Sequence, residues 1–143
     1  AQRFEHGMNL VGIALDETLA RATSKKKYQA AIKGWLSGIT AASANSDFRK
    51  VRGTVLASAV TNKRLASRVT LIQEIHVRRV AGYLKYGIEC GWLDSDLDVE
   101  AIIYWTVSQL NGRLVVELDP KKKFAKRWND LFLESVFYAL RLD

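Results

Sequence analysis

The side chains that most often carry out chemistry in proteins are scarce in this sequence. It has two histidines, His6 and His76, and a single cysteine, Cys90. Glu74 and His76 are two residues apart, so on a helix they point in different directions, and the Glu-x-x-His pairs of di-iron bundles do not occur. A Gly-x-Ser-x-Gly nucleophile motif and a phosphate-binding glycine loop are also missing. The sequence therefore predicts no enzyme, no metal site and no cofactor.

An acidic cluster between Asp94 and Glu100 is the one pattern that suggests a cation site. It lacks the twelve-residue spacing and the central glycine of a calcium loop. Asp98 directly precedes a long apolar run, where a carboxylate can accept hydrogen bonds from the free N–H groups of a helix start. The cluster is therefore interpreted as a helix cap.

Length and composition predict one all-helical domain over residues 1–143. The apolar fraction of 48% and the charged fraction of 26% are ordinary for a globular protein. A single proline and regular apolar spacing favour helices throughout. The sequence has no apolar run of about 18 residues, so it predicts no membrane span. Because the start has no signal-peptide pattern and only one cysteine is present, we expect a cytoplasmic location.

The positive charge is concentrated in the first part of the chain. Residues 1–88 carry fifteen Lys or Arg against five Asp or Glu, whereas residues 89–143 carry seven against ten. A basic region is compatible with a polyanionic partner such as nucleic acid. These residues are spread over several predicted helices, without interleaved aromatic residues or a recognition helix. Solvated helix faces explain the pattern better than direct binding of DNA.

Apolar periodicity predicts six helices with short connections. Thr23-Ser24 and Asp98 are expected N-caps, Asp119 with Pro120 is expected to start the last helix, and Gly91 is expected to end the longest one. The predicted helices are Met8–Ala22, Lys25–Ala44, Phe48–Val60, Lys63–Cys90, Val99–Glu117 and Lys121–Leu142.

The last two predicted helices are apolar on almost every face. A surface helix normally has one apolar stripe of roughly 100° and a polar back. One domain core cannot cover both faces, so a second subunit is expected to form a four-helix bundle with them. The alternative is a single larger bundle that buries both faces within one chain. The predicted interface residues are Tyr104, Val107, Leu110, Asn111, Leu114, Phe132, Leu133, Val136, Phe137 and Leu140.

The segment around the start of the fifth predicted helix has a pattern of the form Gly-x-Leu-x-x-Asp-Leu-Asp. It is followed by Glu-Ala and, about ten residues later, by a glycine. These residues are Gly91, Leu93, Asp96, Leu97, Asp98, Glu100, Ala101 and Gly112. The pattern resembles the C-terminal region of TetR-family transcriptional regulators. The opening RFEHGMNLVGIALDETLARA resembles that family's junction between its DNA-binding and regulatory domains, so the resemblance covers essentially the whole chain.

The resemblance implies a homodimeric, effector-binding regulatory domain. A small molecule is then expected to bind among the helices before the last two, and to shift the dimer between geometries that space two DNA-binding heads differently. The helix-turn-helix domain expected before Ala1 is not part of this sequence. Operator DNA would therefore be contacted by that domain of the parent protein and not by the residues here.

Six residues combine large apolar surface with a polar group and are candidates to contact an apolar or aromatic effector. For each of them the alternative is an ordinary core position. His76 lies on the apolar stripe between Ile72 and Val80, so it is either a satisfied core histidine or a pH-sensitive ligand contact. A helical protein-interaction module with a solid core and no ligand is the competing function. The candidates are Trp35, Phe48, His76, Tyr83, Trp105 and Gln109.

Overall fold

The computed structural model describes residue 19 and residues 22–42 and 46–142, without the side chains of residues 42 and 46–49. This part of the chain is all-helical and contains no strand. The single turn Leu114–Glu117 continues the helix Val99–Gly112, so these segments count as five helices, close to the predicted six. The predicted all-α class is confirmed. The predicted helix Met8–Ala22 lies largely outside the described residues. The helices are α1 Lys25–Ala42, α2 Ser46–Val60, α3 Lys63–Glu89, α4 Val99–Gly112, α5 Leu114–Glu117 and α6 Ala125–Ala139.

Three helices begin at side chains that accept a hydrogen bond from a free backbone N–H. Ser24 Oγ accepts from the Lys27 amide at 3.2 Å and Asp98 Oδ1 accepts from the Ala101 amide at 3.1 Å, as the sequence predicts. Asn62 does the same for α3. Gly91 follows α3 with a φ of +76°, a left-handed conformation that glycine adopts without strain.

The last helix starts at Ala125 and not at Lys121, which corrects the predicted boundary. The Asp119 carboxylate caps an isolated turn instead, where it accepts from the Lys121 amide at 3.0 Å and the Lys123 amide at 3.2 Å. Lys122 has a φ of +48°, which interrupts any helix there. Three lysines at a helix start also oppose the helix dipole.

The predicted helix Val99–Glu117 is interrupted at Arg113. The Arg113 amide is shared between the carbonyls of Gln109, at 3.1 Å, and Leu110, at 3.3 Å. Such sharing tightens the last turn of α4. The chain then resumes as α5, a single turn.

One core joins α1, α3, α4 and α6. Tyr28 on α1 is fully buried in it, and its hydroxyl donates a hydrogen bond to the Tyr83 carbonyl at 2.9 Å. Gly87 on α3 packs directly against the Tyr28 ring, since a Cβ at that position would overlap the ring and its hydroxyl. The buried members are Leu19, Ala22, Tyr28, Ile32, Leu36, Ile39, Val77, Val80, Ala81, Leu84, Leu93, Val99, Ile103, Leu110, Phe132, Val136 and Leu140.

A smaller apolar cluster lies between α2 and the first half of α3. It is centred on Val69, against which Val55, Leu56, Ala59, Leu65 and Ile72 pack. The residues after α6 are held by a contact outside both apolar clusters. The Arg141 guanidinium donates hydrogen bonds to Asp94 at 3.0 Å and to Asp96 at 2.7 Å. This contact joins the residues after α6 to the turn between α3 and α4.

No helix in the described ranges is long and apolar enough to cross a membrane.

Candidate functional site

Beyond Glu100, the outward side of α4 carries no charge. From residue 101 to residue 112 the sequence has no Asp, Glu, Lys or Arg. Tyr104 and Trp105 are nonetheless 38% and 39% exposed, while Ile103 and Leu110 of the same helix are buried. A helix that faces water normally has charged or polar residues on its outer side. The outer side of α4 therefore has the composition of a contact surface.

The neighbouring side of α6 continues this apolar surface. Leu131 is 63% exposed and Tyr138 is 85% exposed, although both are large and apolar or aromatic. A groove of about 430 Å³ separates the two helices. We call the surface formed by the exposed Trp105, Leu131 and Tyr138 and the half-buried Ser135, together with the exposed Tyr104 next to Trp105, the α4–α6 face. The groove is lined by Trp105, Leu131, Glu134, Ser135, Tyr138 and Ala139.

A smaller cleft of about 80 Å³ adjoins this groove and is bounded by Trp105, Gln109 and Trp128, among others. The Trp128 ring stacks on Phe132 with centroids 5.1 Å apart. The Arg113 guanidinium lies 5.5 Å from the Trp128 ring centroid, within the range of a cation–π contact. The Trp128 ring at this cleft therefore contacts both Phe132 and Arg113.

Arg113 and Glu117 form an ion pair whose side chains are only 4% and 9% exposed. Arg113 Nε also donates to Asn129 Oδ1 at 2.9 Å, which joins the end of α4 to α6. Burial lowers the pKa of Arg113. The carboxylate of Glu117 offsets part of this cost, so the pair can remain charged inside the protein.

The predicted interface residues differ in how deeply they are buried. Leu110, Phe132, Val136 and Leu140 are buried inside the single chain and have little surface left for a partner. The half-buried ones are Val107, Asn111, Leu114, Leu133 and Phe137, whereas Tyr104 is exposed. The predicted interface does not include Leu131 and Tyr138, whose seven-residue spacing forms a second stripe beside Phe132 and Val136.

The predicted effector contacts are not gathered in one place in the part of the chain that the structure describes. Trp105 and Gln109 lie together at the small cleft between α4 and α6. Tyr83 lines a different groove on α3. Trp35 packs against the main core, and its indole Nε1 is buried without a hydrogen-bond acceptor among the described residues. The side chain of Phe48 lies outside the described residues.

His76 is buried on α3, where it is 7% exposed. Its pKa is lowered to about 4, mainly by burial and also by the positive charges of Arg52 and Arg79. Burial also lowers the pKa of Arg52 to about 10. The imidazole is therefore neutral near pH 7, as expected of a core histidine.

A second groove, of about 540 Å³, runs along the surface of α3 and is lined by Arg78, Arg79, Gly82, Tyr83 and Tyr86. It is separate from the α4–α6 face, since the two share no lining residue. Within the described residues, no group of three or more His, Cys, Asp or Glu side chains has the geometry to hold a metal ion.

Comparison with known proteins identifies no relative of this chain: no protein-family model, curated protein or solved structure matches it.

Proposed function

We propose that this chain is the effector-sensing and dimerisation domain of a TetR-like transcriptional regulator, and that two copies associate through the α4–α6 face. The proposal combines the sequence pattern from Gly91 to Gly112 with one structural observation. That observation is an uncharged, partly aromatic surface that remains exposed beside the buried core of the described residues. Exposed apolar surfaces of this kind mark interaction sites.

A second copy is the partner that fits this surface best. The protein carries a net charge of +7, so two copies repel each other wherever their basic regions meet. Among the described residues, Glu134 contributes the only charged side chain that lines the groove between α4 and α6. A two-fold contact through this surface therefore keeps the basic regions of the two copies apart. Such a contact joins a surface to its own copy and needs no complementary partner.

The dimer places two helices from each chain side by side, as the four-helix bundle requires. Its contacts come mainly from the exposed stripe that includes Leu131 and Tyr138, while Phe132 and Val136 hold each chain together from within. Regulation then follows from an effector that binds two dimer geometries with different affinity. The DNA affinity of the parent protein changes with that geometry.

Native mass spectrometry of the purified protein tests the proposal. We expect a dimer mass, with a small molecule retained where an effector is carried through purification. Tyr138→Glu places a charge in the contact and should give monomers with an unchanged helical circular dichroism spectrum. Val60→Glu is the matched control, because Val60 is equally exposed at 85% but lies at the end of α2.

A monomeric wild-type protein, or a Tyr138→Glu variant that remains dimeric, would reject the proposed interface. The competing function, a protein-interaction module with a solid core, predicts a monomer that retains no small molecule.

A further inference from the structure

The groove on α3 exists because one side chain is missing from a helix surface. Arg78, Gly82 and Tyr86 are four residues apart, so they lie on one line along the helix. Gly82 is exposed, and a Cβ added there would meet nothing within 4 Å. The result is a notch with a guanidinium at one end and a phenol ring at the other. The notch has a volume of about 540 Å³ and is open to solvent.

The aromatic end of this groove is held by neighbouring rings. Tyr86 packs edge-on against Trp92 with centroids 5.9 Å apart, and Trp92 lies 5.3 Å from the buried ring of Tyr28. A side-chain hydrogen bond with Cys90 also raises the pKa of Tyr86. Tyr83 is half-buried against the main core. Because these rings are already ordered, a planar ligand that stacks on them loses little side-chain entropy from the protein.

The opposite end of the groove is positively charged. Between residues 75 and 88 the sequence has Arg78, Arg79 and Lys85 but no Asp or Glu. The Arg78 guanidinium contacts Glu74 at 3.9 Å, with both side chains largely in water, so this ion pair is weak. A guanidinium has five N–H donors, and this contact leaves most of them available. Paired N–H groups of arginine match the two oxygens of a carboxylate.

We propose that the α3 groove binds a small aromatic anion, with its ring on Tyr83 and Tyr86 and its acidic group on Arg78 and Arg79. This inference rests on the effector-sensing part of the proposed function and narrows the predicted apolar or aromatic effector to a negatively charged aromatic compound. It moves the site from the helical core to the surface of α3. Of the residues predicted from the sequence, Tyr83 is the one that takes part.

Isothermal titration calorimetry with 1-naphthoate tests the proposal on the whole chain. We expect saturable binding of one molecule per chain. The uncharged 1-naphthamide should bind at least tenfold more weakly, because it gives up the contact with the arginines. Inorganic phosphate should also bind at least tenfold more weakly, because it has no ring to stack. Equal affinity for the neutral compound, or no binding of 1-naphthoate at millimolar concentration, would overturn the proposal.

Gly82→Gln should abolish binding of 1-naphthoate, because its side chain fills the notch while the fold has room for it. The matched control is Gly34→Gln on α1, where an added Cβ likewise meets nothing within 4 Å. Both variants exchange an exposed helical glycine for a better helix former, so both should fold. Arg78→Gln should weaken binding at least tenfold. Undiminished binding by Gly82→Gln would overturn the assignment of the groove.

Sedimentation of the same samples separates this inference from the proposed dimer. A dimer that does not bind 1-naphthoate would overturn the aromatic-anion site and leave the interface standing. A monomer that binds 1-naphthoate would overturn the interface and support the site.

Discussion

His76 lies inside the protein beside two arginines, and its residue type alone does not reveal this environment. Burial removes water from the imidazole, and the charges of Arg52 and Arg79 oppose a further positive charge. Both effects favour the neutral ring. At neutral pH the uncharged histidine is part of the core. At acidic pH its protonation lowers the stability of the folded protein.

Acidification should destabilise the protein through His76. The unfolded chain takes up a proton near the ordinary pKa of about 6.5, whereas the folded protein does so only near pH 4. The free energy of unfolding is therefore highest above pH 6.5 and falls as the pH drops toward 4, by up to about 3 kcal/mol from this residue. Urea unfolding between pH 7.5 and 4.5 measures the slope.

The His76→Gln variant is the control for the dependence of the free energy of unfolding on pH. Carboxylates contribute equally to both proteins, so the wild type should lose more stability on acidification than the variant. Parallel slopes would show that His76 does not cause the acid sensitivity.

The contact between Gly87 and Tyr28 predicts a second effect at the residue level. Alanine in an exposed helix position is normally more stable than glycine by up to about 1 kcal/mol. Gly87→Ala should instead lower the free energy of unfolding by roughly 1–3 kcal/mol, because its Cβ overlaps the fully buried Tyr28. Gly34→Ala, where the added methyl group meets nothing, should be neutral or stabilising. Equal unfolding midpoints for the two variants would contradict this packing.

At the level of whole helices, the buried pair Arg113–Glu117 decides how α4, α5 and α6 are joined. Arg113 ends α4, pairs with α5 and contacts Asn129 on α6. A polar group in this position helps to fix one arrangement of the three segments, since few other arrangements satisfy it.

Glu117→Gln should therefore cost about 3 kcal/mol of stability, because it leaves a buried guanidinium without its counter-charge. Asp130→Asn is the control: Asp130 pairs with Lys126 across one helical turn as Glu117 pairs with Arg113, but this pair is exposed. Such a surface pair contributes at most about 0.5 kcal/mol. Chemical denaturation measures both losses, and a small loss for Glu117→Gln would mean that the pair is hydrated.

For the molecule as a whole, each of the two proposed sites lies in the part of the chain whose net charge suits its proposed partner. Residues 1–88 have an excess of ten positive charges, and residues 89–143 have an excess of three negative charges. The α4–α6 face belongs to the second region, so two copies can meet through it without bringing their basic residues together. The α3 groove belongs to the first region, where the positive potential favours an anion. The two proposed sites thus use different surfaces and different forces.

The sequence by itself determined the all-helical class, most helix boundaries and the caps at Ser24, Asp98 and Gly91. These features depend on spacing and on contacts within a few residues, so local pattern is sufficient to predict them. It also determined that the last two helices have two apolar stripes each. Only the tertiary structure decided which stripe faces inward, because both have the same periodicity. It placed Phe132 and Val136 inside and Leu131 and Tyr138 outside, and it separated Tyr83 from Trp105. Those outcomes depend on residues far apart in the chain, such as Tyr28 with Tyr83 and Arg113 with Asn129.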